Sequence, residues 1–209
     1  MMTAQMPSPF GHVLAGAIVG FVATPRAPDT APPAATDEMP SPGGWAQHPW
    51  FYPALSGLVA ALPDIDLLMS QYHRRATHSL TATVLIIIVT MVVTGKVTGR
   101  INLRLALVLG LAHATHLVLD WLGADRFRDR GIQLFWPFVP THYISELDWF
   151  PGTERRLFEH PRALAINARA FLTEVATLGP PAWLAWWLTR TRRSRGPISA
   201  PGSPRPPSA

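Results

Sequence analysis

The sequence predicts an all-α protein, a helical bundle of four to six apolar helices that is membrane-associated or membrane-embedded. Composition is the first observation: 48% of the residues are hydrophobic and 15% charged, against about 25% charged in an ordinary soluble domain. Pattern is the second, since apolar stretches of helical length alternate with polar, Pro-rich or Arg-rich ones. The third is where the remaining ionisable groups fall. Histidines and aspartates gather at the ends of the apolar stretches, where each is costly unless it is neutral or held by a partner.

With 209 residues the chain makes one substantial domain rather than two. It has no cysteine, which rules out disulfides and thiolate-held zinc and leaves nitrogen and oxygen as the donors for any metal. The net charge of +5 comes largely from arginines in loops and in the tail, as expected of anchors on the cytoplasmic side of a membrane. No specific nucleic-acid partner is expected, because the apolar helices lack the aromatic–basic interleaving of single-strand binders.

Residues 1–9 carry no Lys or Arg and make a poor signal-peptide start. A first helix is expected over 9–24, with Ser8 as N-cap, Pro9 at the first helical position and His12 near its start. Its glycines and alanines permit close packing against a neighbour. Residues 25–50 hold seven prolines and read as a flexible insertion or linker; the remainder of the bundle occupies 51–190. HPWFYP at 48–53 returns the chain to the apolar boundary, and a second helix, or helix plus turn, covers 54–69, ended or kinked by Pro63. The most apolar run, 79–94, is a third helix, somewhat short of the about 20 residues that span a bilayer unaided. A polar basic turn at 94–104 leads into a fourth helix over 105–123. From about 124 to 160 charge, aromatics and prolines are dense, which reads as an extramembranous loop with little regular structure. Residues 161–178 look helical, Pro180 and Pro181 interrupt, and the tryptophans that follow resemble an interfacial belt. Residues 191–209 form a disordered basic tail.

If consecutive helices run antiparallel in an up-down bundle, one end collects chemistry from four elements. His12 starts the first helix, Asp64 and Asp66 end the second, His73 and His78 precede the third, and His116 and Asp120 lie near the end of the fourth. His116 and Asp120 are i, i+4 and face the same way; His113 shares nearly that face, as a further ligand or a supporting partner. Imidazole and carboxylate suit zinc and similar divalent ions. The metal candidates are therefore His12, Asp66, His73, His78, His116 and Asp120, and they exceed one tetrahedral shell, so more than one ion is plausible. Taken singly, several of these residues have simpler readings: a hydrogen-bonded core histidine for His113, turn chemistry for Asp64 beside Pro63, membrane-surface anchors for Arg74 and Arg75.

The same residues carry a family resemblance. His12 with Gly16, LPDID at 62–66, HRRATHSL at 73–80, the His116–Asp120 pair and Gly131 with Trp136-Pro137 occur in this order, and the pattern resembles the YdjM-like inner-membrane-associated, metal-dependent hydrolases over roughly 9–140, less the insertion. The resemblance implies location in the bacterial inner membrane. It also implies a distant likeness to zinc-dependent phospholipases C and single-strand nucleases, in which Asp120 would be a bridging carboxylate and His12, Asp66 and one of His73 or His78 would complete the metal shells. Those enzymes use a further group of ligands, for which only His142 with Glu146, or Glu174, is available here.

Two functions follow as expectations. The first is a membrane-associated metal-dependent hydrolase acting on a small-molecule or lipid phosphoester, in which the metal activates water. Asp64 or Asp66, whichever is not a ligand, is its general base, and Arg74 and Arg75 neutralise phosphate charge. The second is a non-catalytic membrane protein with a structural metal or partner-binding site. The basic turn at 94–104 and the tail lie at the end opposite the site, which the positive-inside rule would place in the cytoplasm, although Arg74, Arg75 and the arginines of 126–130 pull the other way.

Overall fold

The first helix, α1 (Pro9–Ala23), begins where its sequence says it should: the Ser8 hydroxyl accepts from Gly11 N at 3.3 Å and Pro9 occupies the first turn. The structure, a computed structural model, describes residues 7–25, 48–69, 74–125, 130–154, 158 and 161–194. Most of the Pro-rich insertion, His73 and the chain beyond Ser194 lie outside the described residues.

Helix α1 is the hub, packing on α2 (Phe51–Ala61), α4 (Leu103–Leu122) and α5 (Ala163–Ser194). Small residues allow this. A Cβ at Gly16 would collide with Ser56 O and the Ala60 side chain, and one at Gly20 would run into the Tyr52–Pro53 backbone, so α1 and α2 touch almost backbone to backbone. Past Ala61 the chain tightens into a 3₁₀ segment, Leu62–Met69. Pro63 has no N–H to continue the α ladder, and the narrower helix follows.

Helix α3 (Leu80–Thr98) is capped by Ser79, whose hydroxyl accepts from Ala82 N at 3.1 Å, and stops at Gly99 with φ 70°. It runs one turn beyond the apolar stretch, because Gly95–Lys96 continues the helix and Lys96 suits its negative end. No described residue of α3 is buried, and its only substantial helix neighbour is α4. The outward Val84, Leu85, Ile88, Val89, Val92 and Val93 are each about half exposed, the face of a helix solvated by lipid. Thr90, Thr94 and Thr98 return their hydroxyls to the carbonyl four residues back, so the helix shows lipid few unpaired polar groups. Both α3 and α4 are long and apolar enough to cross a membrane.

Helix α5 departs from the sequence expectation, since it continues through Pro180 and Pro181 to Ser194. Both prolines are exposed, so their rings displace no neighbour. On one side Ala170 and Glu174 are buried, and on the other Ala182, Ala185 and Thr189; Thr189 Oγ1 donates to Phe21 O at 2.7 Å. Packing against α1 on both flanks holds the halves in line despite the lost backbone bonds.

Between α4 and α5 the described chain has no strand, only isolated bridges, Gly123 with Phe150 and Ile132 with Tyr143. It is nevertheless anchored. Leu80 N donates to Leu134 O at 2.9 Å, Gln133 N to Arg74 O at 3.0 Å and Ser145 N to Trp121 O at 2.9 Å, while Ile132 and Phe150 are buried. This loop closes the end of the bundle at which α3 begins and α4 finishes.

Candidate metal centre

At that end Asp120 stands at the middle of three imidazoles. Its Oδ1 lies 3.4 Å from His12 Nε2, and its Oδ2 lies 3.3 Å from His78 Nε2 and 3.4 Å from His116 Nε2. All four side chains are fully buried. Asp64 Oδ2 approaches His12 Nε2 at 3.9 Å from the rim. The ligand-type atoms form two overlapping triads, His12–His116–Asp120 and Asp64–His78–His116, each with its atoms within 4.8 Å of one another.

Two of the imidazoles are held from behind. His116 Nδ1 donates to Ala60 O at 2.7 Å, a carbonyl that can only accept, so Nε2 faces the centre as a lone pair. His78 Nδ1 lies 3.3 Å from Asp66 Oδ2 and 3.0 Å from Thr77 Oγ1, and the Thr77 hydroxyl donates to that same Asp66 oxygen. A carboxylate or carbonyl behind each inward-facing imidazole is the usual support of a metal-binding histidine.

In front, satisfaction stops. Nε2 of His12 and of His116, both oxygens of Asp120 and Oδ1 of Asp64 are buried and make no hydrogen bond among the described residues. One orphaned buried polar atom costs about 1–3 kcal/mol, and a folded core does not gather five in one spot without something to answer them. Burial pushes the His78 imidazole down, but Asp120 and Asp66 outweigh it and hold it up to about 9; the centre draws positive charge. Imidazole nitrogens aimed at shared carboxylates are a donor set that could hold a divalent ion, which would take the place of the proton that Asp120 and Asp66 favour on His78.

The other residues singled out in the sequence are placed as follows. Asp66 sits behind His78, not in either triad. Two residues apart on a helix of about three per turn, Asp64 and Asp66 point to different sides. His73 lies outside the described residues. Arg74, buried and at φ 69°, is ion-paired to Asp125, and Arg75, three residues before His78, is exposed. His113 is a structural clasp: Nε2 donates to Thr77 O at 3.0 Å and Nδ1 meets Thr83 Oγ1 at 2.8 Å. Glu146 faces solvent, 3.9 Å from Arg130, and neither it nor His142 joins a ligand cluster. Glu174 is fully buried but accepts from Ser8 N at 2.5 Å and from the Ser8 hydroxyl, fixing the start of α1 one turn before His12. Sequence reasoning missed Thr77, Asp125 and the Ala60 carbonyl; Thr77 at least stands inside HRRATHSL.

Fold and site together define an all-helical membrane protein with a buried His/Asp centre at one end of its bundle. The model of the YdjM inner membrane protein family matches residues 6–189, and the chain belongs to that family. No curated protein and no solved structure matches it.

Proposed function

We propose that the protein is a membrane-associated, metal-dependent hydrolase acting on a phosphoester. The observation that carries this is the set of orphaned, buried imidazole and carboxylate atoms around Asp120. His12, His78, His116 and Asp120 would hold the ion, which, when bound, would lower the pKa of a coordinated water and draw phosphoryl charge. Asp64, at the rim with its side chain 9% exposed and Oδ1 unbonded, takes the proton of the attacking water. Asp66 and Thr77 keep His78 in register. Arg75, exposed three residues before His78, would meet a phosphate arriving from outside, whereas Arg74 is engaged by Asp125 and holds the segment in shape.

A second reading, a structural ion that pins four elements together, is favoured by the complete burial of the three imidazoles and Asp120, since closed sites tend to be structural and catalytic ones keep an open position. Turnover decides between them. Purified protein in detergent should hydrolyse a chromogenic phosphodiester or phosphomonoester, and chelator should abolish the activity. A protein that binds metal, loses stability with chelator and turns over neither ester supports the structural ion instead.

A further inference from the structure

The end of the bundle opposite the His/Asp centre carries a separate pocket of about 460 Å³. Its walls come from three helices: Phe21 near the end of α1, Trp50 at the start of α2, and Trp186, Thr189, Arg190 and Arg193 on the last turns of α5. Among the described residues, no acidic side chain lines it. We propose that this pocket binds the phosphate-bearing headgroup of an anionic membrane lipid.

Charge and geometry supply the argument. Arg190 and Arg193 are i, i+3 and share a face of α5. The Arg190 guanidinium lies over the Trp186 ring at 5.5 Å, and Arg193 Nη1 reaches Pro25 O at 3.3 Å, so both are drawn to the rim instead of trailing into solvent. Thr189 is occupied by Phe21 O and Ala185 O; it locks α5 to α1 and fixes the pocket's shape. The start of α2 adds no donor, since Phe51 N already donates to His48 O at 3.1 Å and Pro53 has no N–H, so the cations of α5 carry the charge of the pocket. Two guanidinium forks on one face of α5 match a phosphodiester.

A lipid is the occupant because of where the pocket lies. Arg104 Nη2 donates to Ala23 O at 2.7 Å, which ties this end to the start of the apolar α4 and puts the pocket at the depth where α3 ends and α4 begins. Trp183 and Trp187 stack at 6.4 Å on the same part of α5 and are 61% and 44% exposed, as expected of aromatics at a bilayer interface. A phosphate held there would leave its acyl chains beside the exposed faces of apolar helices.

The test is native mass spectrometry of the full chain in mild detergent, titrated with phosphatidylglycerol, phosphatidylcholine or inorganic phosphate. Wild type should retain phosphatidylglycerol in preference to phosphatidylcholine. The double variant Arg190→Gln with Arg193→Gln should weaken that retention roughly thirtyfold, from the usual contribution of two cations at a lipid surface, and the variant with Lys at both positions should fall between. Metal content, read at the other end of the bundle, should stay at the wild-type level in both variants, which separates a lost headgroup site from a lost fold. Equal retention of the two lipids, wild-type retention by the Gln variant, or displacement of lipid by millimolar inorganic phosphate would each overturn the proposal.

Discussion

The imidazoles of His12 and His116 stack with their centroids 3.8 Å apart and their planes 24° from parallel, while Nε2 of each faces a different oxygen of Asp120. The stack joins α1 to α4, and α2 bears on it through Ala60, whose carbonyl accepts from His116 Nδ1. Gly16, one turn along α1 from His12, packs against that same Ala60, so the α1–α2 separation it sets also sets where His12 meets His116.

Gly16→Ala should therefore act at two places. Its Cβ would meet the Ser56 carbonyl and the Ala60 side chain, and overpacking of this kind costs about 1–3 kcal/mol. The same shift would move His12 away from His116. Thermal unfolding should report the first effect and a drop in metal affinity the second; wild-type values for both would mean that the α1–α2 contact is looser than described.

Arg74 and Asp125 are both buried, and Asp125 also accepts from Gly131 N at 2.5 Å. Arg74→Ala would leave that carboxylate buried without its cation, a change worth about 3–5 kcal/mol. Replacing the pair together, Arg74→Met with Asp125→Leu, should recover much of the loss. An Arg74→Ala protein of wild-type stability that is catalytically dead would instead assign Arg74 to the phosphate.

The two aspartates of LPDID should separate by phenotype. Asp66→Asn removes the charge behind His78 and should weaken metal binding roughly 10–100-fold, the usual effect of losing such a support. Asp64→Asn should leave the metal in place and abolish turnover. The reverse assignment would follow if Asp66→Asn alone stopped turnover with its metal retained.

Much of this was legible in the sequence and some was not. Apolar runs and caps located the helices, and the antiparallel order of four of them brought His12, Asp64, His78, His116 and Asp120 to one end. Asp64 and Asp66, two residues apart, diverge on any helix; which of them faces the centre was hidden, because it depends on how the 3₁₀ segment after Pro63 is turned towards His12 and His78. Pro180-Pro181 read as a break, since the sequence does not reveal that α1 grips α5 on both sides of them. The Arg74–Asp125 pair joins residues 51 positions apart, and Asp125 stands in a stretch so charged that burial of one member leaves no local signal.

Cation placement makes a prediction about orientation. Lys96, Arg100 and Arg104 sit with Arg190, Arg192 and Arg193 at the end away from the centre, and the positive-inside rule predicts that end in the cytoplasm, against the pull of Arg74 and Arg75 at the other. The chain has no cysteine, so single-cysteine labelling is clean. In spheroplasts an impermeant maleimide should modify Phe138→Cys, where the native side chain is 83% exposed, and spare Arg100→Cys. The opposite pattern would invert the topology.

We propose that at least one ion answers the orphaned atoms around Asp120. The most direct test is elemental analysis of purified wild type beside His116→Ala and Asp120→Ala, with helical circular dichroism as the check on folding. Wild type should carry at least one divalent ion per chain, and both folded variants should lose it. Wild-type metal content in both, or no metal in a folded wild type offered zinc, manganese or magnesium, would contradict it.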